Sequence, residues 1–323
     1  MVAIQRIFSA ASGCVLLAAC LSACGAAAPS VPVGSTAGAA QSSSIVSSAS
    51  ASKPESAAPG VPSSSAETDE LSPLAEEEPK SYVEPYAVTF GTGSLRLRAT
   101  PDTEAEILDV LYQSQNFFYP FLEKDGWYYG VYTGQVGWCS AEYLTLVNYG
   151  DDEFYFYLPE FLTAKQQCAY LQACTLANSM RWGSVQMDQT QVTIDGETCT
   201  PCSYFLGEYA RMEACVKALF EGSAQEYFLT RRFKNLNGTL YELLDGEEIN
   251  YLGMDLQSSE FRLVSQNDTQ VQFTVIGHYF RPGNGINLTD IEYTHEWPIS
   301  MELGSDGTWR FTQFATLTQG PLE

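Results

Sequence analysis

The sequence predicts a multidomain protein in which a small all-β barrel is followed by an α+β domain with helices packed on an antiparallel sheet. Three observations predict this class. Short β-rich segments separated by turn residues fill residues 85–148, helical patterns come next, and strand patterns dominate from there to the end. The chain has 323 residues, enough for about two domains.

Composition and charge limit the function classes. Hydrophobic residues make up 45% of the chain and aromatic residues 13%, which is enough to build packed cores. The formal net charge is -23, so a nucleic-acid partner is not expected, because binding a phosphate backbone needs a basic surface. The chain contains two His, which argues against a His-rich metal site. We expect no cofactor and no metal.

Residues 1–23 have the pattern of a secretory signal peptide. Arg6 is the only charged side chain in the first 52 residues, and the apolar run Ile7–Ala23 is too short for a good membrane-spanning helix. The letters LSACG at 21–25 resemble the bacterial lipobox, whose Cys receives a diacylglyceryl group and becomes the new N-terminus. The resemblance implies a lipoprotein attached at Cys24, with Cys20 as the alternative acceptor. An ordinary signal with incidental Cys is the other interpretation.

Lipidation implies a place in the cell. Two or more acyl chains hold a protein firmly on a membrane, whereas one chain holds it only marginally. We therefore expect the mature chain on the outer face of the cell membrane, in an extracytoplasmic position, with the membrane as a partner through the lipid anchor.

Residues 24–84 are predicted to be a disordered tether. Ser, Ala, Pro and Gly account for 33 of the 42 residues from 25 to 66. Such a stretch buries too little apolar surface to offset the entropy of ordering. The acidic end, Glu67–Glu84, is expected to be extended by self-repulsion. We interpret this linker as a spacer between the membrane and the folded part.

The first unit, residues 85–148, is predicted to be the small barrel. Ser94–Arg98 alternates Leu with Arg, as a half-buried strand does. The pairs Asp125–Gly126 and Thr133–Gly134 are hairpin signals. The predicted strand segments are Tyr86–Phe90, Ser94–Arg98, Ile107–Tyr112, Asn116–Leu122, Trp127–Tyr132, Gln135–Cys139 and Tyr143–Val147.

This unit resembles the bacterial SH3-like domain. The features that match are SLRLR at 94–98 followed by Thr-Pro, GWY at 126–128, GQVGW at 134–138 and YL at 143–144. Members of that family bind peptidoglycan peptides or other envelope ligands and carry no chemistry themselves. The resemblance therefore implies a non-catalytic domain that binds the cell wall. The family usually has Asn where Arg96 stands and a small residue where Cys139 stands, so the identity of the ligand stays open.

Aromatic side chains are the candidate ligand-binding residues of the first unit. They can line a groove, and a Tyr hydroxyl reaches the surface more readily than a Trp ring does. The alternative is that the two Trp belong to the core, because so small a domain needs large apolar side chains to build one. The candidates are Tyr119, Trp127, Tyr128, Trp138 and Tyr143.

The second unit, residues 149–323, is predicted to be the α+β domain. Thr163 with Gln166 has the pattern of a capping box, and Ser223 with Glu226 predicts the start of another helix. Two apolar stripes with helical spacing are Tyr170, Ala173, Cys174, Ala177 and Met180, then Met212, Cys215, Val216 and Leu219. The predicted strands are Gln191–Ile194, Glu197–Phe205, Thr239–Leu243, Phe261–Ser265, Gln270–Phe280, Ile291–Met301 and Trp309–Ala315.

This order of elements is similar to that of secreted inhibitors of the DL-endopeptidases that trim the wall of Gram-positive bacteria. The similarity rests on VTIDGET at 192–198, the helix Glu213–Phe220 and GTLY at 238–241, and it covers about Leu176 to Val275. It implies a peptidase inhibitor whose partner is a cell-wall hydrolase. A cone-shaped domain like that of nuclear transport factors would give a similar order.

The negative charge of the second unit is a feature that would attract a basic partner. The second unit carries a net charge of -14, which serves either solubility or attraction to a basic hydrolase. The candidate partner-binding residues are Asp245, Glu247 and Glu248, although a solvated turn is the simplest explanation of these acids.

A thiol-dependent enzyme is the remaining function class. Cys199 and Cys202 form a CxxC motif, but a reactive pair needs its first thiol at a helix N-terminus, and the pattern places Cys199 in a strand. A Cys protease also needs a His base. His295 is expected on an apolar face and His278 on the surface. We therefore predict no enzyme. A plain wall-binding or ligand-sensing surface lipoprotein is the alternative to the inhibitor.

Overall fold

The computed structural model describes residues 73–113, 116–147, 155–182, 191–243, 253–254, 260–280 and 291–314. These residues all belong to one compact body, of which the predicted first unit (residues 85–148) and second unit (residues 149–323) are parts. The predicted signal peptide, the predicted acceptor Cys24 and its alternative Cys20, most of the predicted tether and the acidic segment with Asp245, Glu247 and Glu248 lie outside the described residues. In the described part, no helix is both long enough and apolar enough to cross a membrane.

The described residues contain strands and a smaller number of helices. The helices are α1 (Ala164–Trp182), α2 (Tyr209–Leu219) and α3 (Gly222–Tyr227), with 3-10 turns at Ala141–Tyr143 and Tyr204–Gly207 and a π turn at Phe228–Arg232. The strands are β1 (Tyr82–Val83), β2 (Tyr86–Val88), β3 (Ser94–Arg98), β4 (Ile107–Tyr112), β5 (Tyr119–Lys124), β6 (Trp127–Tyr132), β7 (Gln135–Ser140), β8 (Leu144–Leu146), β9 (Phe156–Tyr157), β10 (Val192–Ile194), β11 (Glu197–Pro201), β12 (Phe233–Leu236), β13 (Thr239–Leu243), β14 (Gly253–Met254), β15 (Glu260–Gln266), β16 (Gln270–Phe280), β17 (Ile291–Leu303) and β18 (Trp309–Gln313).

The first unit is an antiparallel sheet with the strand order β4-β3-β7-β6-β5. Each of the seven β-rich segments predicted there contains a strand. Strands β2 and β8 form a separate pair, and a bridge between Tyr86 and Phe118 joins β2 to the residue before β5. The β-rich unit is confirmed, whereas closure into a barrel stays a prediction.

Both predicted hairpin turns of the first unit are confirmed. Asp125 and Gly126 have φ angles of 50° and 80°, and Thr133 and Gly134 have 49° and 80°. Two successive positive φ angles match the right-handed twist of the flanking strands, which is why Gly is favoured in such turns.

The folded part begins earlier than residue 85. Leu74 and Val83 are buried, and Val83 in β1 pairs with Phe156 in β9. The backbone of Lys80 exchanges hydrogen bonds with the side-chain amide of Gln167 in α1, at 2.9 and 2.8 Å. The last residues assigned to the tether are thus packed, because apolar side chains interrupt the acidic run.

Helix α1 begins with the predicted capping box. The backbone N–H of Thr163 donates to Gln166 Oε1 at 2.9 Å, and the backbone N–H of Gln166 donates to Thr163 Oγ1 at 3.3 Å. The described part of the predicted apolar stripe is buried: Tyr170, Ala173, Cys174 and Ala177. Helix α1 packs against β6 and β7 on one side, and the Tyr170 ring lies 5.7 Å from that of Phe273 in β16.

The second unit contains two antiparallel sheets. One has the order β10-β11-β13-β12; the other has the order β14-β16-β17-β18, with β15 also paired to β16. In β16, Val271, Phe273 and Val275 are buried, as the alternating pattern predicts. Strand β12 was not predicted, because Phe233–Leu236 lacks a clear alternation of apolar and polar residues.

Two local predictions in the second unit are wrong. The strand predicted to reach Phe205 ends at Pro201, because Phe205 and Leu206 adopt left-handed φ angles of 57° and 55° in the 3-10 turn. Helix α3 begins at Gly222 after Glu221, and no side chain caps it, so the capping box predicted at Ser223 does not form.

Candidate ligand-binding site

The five aromatic residues predicted to bind ligand do not lie together: four are in strands of the first sheet, on both of its faces, and Tyr143 is in the 3-10 turn. Residues directly opposite each other in an antiparallel pair share a face. Trp138 in β7 lies opposite Tyr129 in β6, whereas Cys139 lies opposite Tyr128. Trp127 and Trp138 are therefore on one face and Tyr128 is on the other.

The face that carries Trp138 is covered by α1. The rings of Trp138 and Tyr129 lie 5.2 Å apart, and Trp138 is 7% exposed. Burial raises the pKa of the Tyr129 hydroxyl, and the Cys168 thiol on α1 adds to this effect. Trp138 thus packs in the core, which is the alternative that the size of the domain favoured. Trp127 is half-buried.

Tyr119 and Tyr143 lie in different surroundings. The Tyr119 ring packs edge-on against Phe156 of β9 at 5.8 Å, and burial raises the pKa of its hydroxyl. Tyr143 ends the 3-10 turn and is 42% exposed. Its carbonyl oxygen accepts a hydrogen bond from the backbone N–H of Thr89 at 2.9 Å. These two rings do not join Tyr128.

Tyr128 lines a cavity of about 450 Å³. One wall comes from β5 and the other from the chain that leads into β2. This volume is in the range of small-molecule and short-peptide sites, which are roughly 300–1,000 Å³. The lining residues are Lys80, Ser81, Tyr82, Val83, Glu84, Tyr86, Pro120, Phe121, Leu122, Glu123 and Tyr128.

Two tyrosines form the aromatic part of the cavity. The rings of Tyr86 and Tyr128 lie 5.3 Å apart at an angle of 56°. The pKa of Tyr86 is raised to about 12, chiefly by burial, and the neighbouring Tyr128, through its charge and a side-chain hydrogen bond, and the carboxylates of Glu84 and Glu123 contribute to that shift in the same direction. Both carboxylates therefore lie close enough to act on this hydroxyl.

Lys80 is the basic residue of the cavity lining, and its ammonium group already has partners. Its Nζ donates to the carbonyl oxygen of Phe121 at 2.6 Å and lies 5.8 Å from the centroid of the Phe121 ring. Burial lowers the pKa of Lys80, while Glu77 and Glu84 act in the opposite direction. With Glu84 and Glu123, the lining has one positive and two negative side chains.

Sequence reasoning identified Tyr128 but missed the wall from Lys80 to Tyr86. Those residues precede the first predicted strand or open it, and Lys80–Glu84 were assigned to the tether on composition. The signal that could have found them is the apolar and aromatic spacing of Tyr82, Val83 and Tyr86, which is unlike the Ser- and Ala-rich part of the tether.

The thiols and histidines of the described residues form no reactive pair in the structure. The six described Cys form no disulfide with one another, and Cys199 lies in β11 as predicted. Burial raises the pKa of Cys199. The half-buried His295 packs its ring 4.2 Å from Trp297, and His278 shares a hydrogen bond with Thr294. Within the described ranges, no cluster of three or more His, Cys, Asp or Glu could hold a metal.

A comparison with protein families matches the model described as "Bacterial SH3 domain" to residues 93–145. Residues 93–145 form a bacterial SH3 domain. No curated protein matches the chain. The matched range contains Glu123 and Tyr128, whereas Lys80, Glu84 and Tyr86 lie before it. The cavity is thus built by the SH3 domain together with the chain that enters it.

Proposed function

We propose that this chain is a non-catalytic, lipid-anchored protein of the cell envelope that binds the cell wall through its SH3 domain. The observation that carries the proposal is the cavity beside Tyr86 and Tyr128, which offers an aromatic pair and a pocket of peptide size on a bacterial SH3 domain. Aromatic side chains in pockets often dominate binding energy.

The anchor part of the proposal rests on the resemblance of residues 21–25 to a lipobox. Replacing the acceptor, Cys24→Ala, is expected to move the protein from the membrane fraction to the soluble fraction, whereas Cys20→Ala is expected to leave it in place. The opposite result would assign the acceptor to Cys20, and no effect of either would reject lipidation.

Wall binding is tested by sedimenting the soluble full chain with insoluble peptidoglycan. Tyr128→Ala removes one ring of the aromatic pair and is expected to raise the dissociation constant about tenfold or more. Tyr112→Ala is the matched control, since Tyr112 in β4 is 43% exposed and does not line the cavity. Equal binding by both variants would reject the cavity, and no binding by the unmodified chain would reject wall binding.

The non-catalytic part of the proposal is supported by the state of the thiols. Burial raises the pKa of Cys168, Cys174 and Cys215 to about 12. A thiolate is the reactive form, so these groups are almost entirely protonated, and weakly nucleophilic, at neutral pH.

Restraint of a wall DL-endopeptidase is the second candidate function. It is favoured by helices packed on antiparallel sheets, the order that the resemblance to secreted inhibitors implies, and by the charge of -14 on the second unit. Adding the full chain to a wall-digestion reaction is expected to slow it, and less so at high salt. Unchanged digestion at high excess would reject this function.

A further inference from the structure

We propose that the SH3-domain cavity recognises a primary ammonium group on its ligand, held by Glu84 and Glu123 beside the Tyr86–Tyr128 pair. This inference rests on the proposed wall binding and names the chemical group that the cavity selects.

The charge of the lining gives the first reason. Glu84 and Glu123 both line the cavity, and within the described part of the chain neither forms an ion pair. Other acids do find partners, as Glu296 does with Arg262. The carboxylates of the lining are therefore available to a ligand, and their sign selects a cation.

Lys80 does not neutralise this pair of carboxylates fully. It contributes one positive charge against two negative charges, and its Nζ is held at the Phe121 carbonyl oxygen, 2.6 Å away. One negative charge of the lining thus remains without a counter-charge. A monocation would balance it, whereas an anion would increase the imbalance.

The aromatic pair gives the second reason, and it is independent of the carboxylates. A cation is attracted to the face of a Tyr ring, and the two tilted rings of Tyr86 and Tyr128 line the same cavity as the acids. Glu123 in β5 lies directly opposite Tyr128 in β6, so the sheet register fixes one acid next to one ring.

A primary ammonium group fits this arrangement better than a guanidinium group does. Its three N–H donors point in different directions and can reach a carboxylate, a second carboxylate and a Tyr hydroxyl. Such a group occurs at the N-terminus of a peptide and on the side chain of a diamino acid, and both sources have the apolar carbon atoms that a cavity lined by Pro120 and Leu122 can cover.

The test uses the full chain and four derivatives of lysine methylamide, with binding measured by calorimetry or by NMR titration. The α-acetylated probe keeps only the side-chain amine, the ε-acetylated probe keeps only the terminal amine, one probe keeps both, and the doubly acetylated probe keeps neither. We expect at least one amine to bind about tenfold or more tightly than the doubly acetylated probe. The better of the two singly acetylated probes identifies the source of the ammonium group.

Matched variants locate the effect. Glu123→Gln keeps the shape of the side chain and removes its charge, and it is expected to reduce the preference for amines about tenfold. Glu104→Gln removes the same charge at an exposed position outside the cavity and is expected to change nothing. Equal binding of all four probes, or equal effects of the two variants, would overturn the inference.

Failure of this inference is distinguishable from failure of wall binding. If Tyr128→Ala weakens sedimentation with peptidoglycan while the probes show no preference for an amine, the cavity binds wall through another group, and the ammonium inference alone is wrong. If neither the probes nor the wall bind, both are wrong.

Discussion

The SH3 domain contains two hairpin turns of the same local design in opposite surroundings. Asp125–Gly126 joins β5 to β6, Thr133–Gly134 joins β6 to β7, and their φ angles agree within about 1°. A Cβ added to Gly126 would meet nothing within 4 Å, whereas one added to Gly134 would lie 2.8 Å from the Cβ of Leu176 in α1. One turn is open to solvent, and the other is pressed against a helix of the second unit.

The buried turn is also held by hydrogen bonds. The backbone N–H of Gly134 donates to Thr175 Oγ1 at 3.0 Å, and its carbonyl oxygen accepts from Gln172 Nε2 at 3.0 Å. The Cys215 thiol of α2 donates to the same oxygen at 3.2 Å. One end of the β6–β7 hairpin therefore joins two parts of the molecule, while the cavity with Tyr128 lies elsewhere on the domain.

The largest expected effect is at Asp109. This fully buried residue contacts Gln135, which follows Gly134 of the buried turn. It accepts hydrogen bonds from the backbone N–H of Phe205 at 2.9 Å, from that of Leu206 at 3.4 Å, and from the Gln135 side chain. Asp109→Ala leaves these donors without their acceptor. We expect the free energy of unfolding to fall by about 3–5 kcal/mol in urea denaturation.

The control for Asp109 is Asp102→Ala. Asp102 is exposed, and its carboxylate accepts a hydrogen bond from the backbone N–H of Glu104 at 2.9 Å. Because water replaces an exposed acceptor, this change is expected to cost less than about 1 kcal/mol. Similar losses in the two variants would mean that Asp109 does not hold the 3-10 turn at Tyr204–Gly207 to the SH3 domain.

The two glycines test the comparison directly. Gly126→Ala places a residue with a Cβ in a left-handed backbone conformation, which is expected to lower the free energy of unfolding by about 1–2 kcal/mol. Gly134→Ala has the same backbone cost and also forces the new Cβ against Leu176. We therefore expect the free energy of unfolding to fall by about 2–4 kcal/mol, measured by thermal or urea unfolding. An equal loss in the two variants would show that α1 moves away at little cost.

The sequence predicts both turns equally well but cannot tell them apart. An X-Gly pair between two β-rich segments is a local signal, so each hairpin follows from a few neighbouring residues. Burial of Gly134 depends on where Thr175 and Leu176 lie, some 40 positions away, and no spacing in the chain reports that. The capping box at Thr163 was predictable for the same reason as the turns.

The residues of the candidate site also divide into those that local sequence patterns predict and those that depend on tertiary contacts. Tyr128 was predicted because an aromatic side chain can line a groove and a Tyr hydroxyl reaches the surface readily. Strand alternation alone separates it from Trp127, but the packing of α1 against β6 and β7 is a tertiary contact. Lys80 and Glu84 were missed because an acidic composition predicts an extended tether, whereas Val83, which lies between them in the chain, is buried.

The smallest effect is expected from Thr175→Val, which keeps the shape of the side chain and removes the hydroxyl. The backbone N–H of Gly134 then lacks its acceptor in a buried setting, which is expected to cost about 1–2 kcal/mol in urea denaturation. Thr145→Val is the control, because the Thr145 hydroxyl is exposed and shares one hydrogen bond with Thr89 at 3.0 Å. If the two changes cost the same, the N–H of Gly134 finds water or another acceptor. In that case the contact with Leu176 alone, and not the hydrogen bond, distinguishes the buried turn from the exposed one.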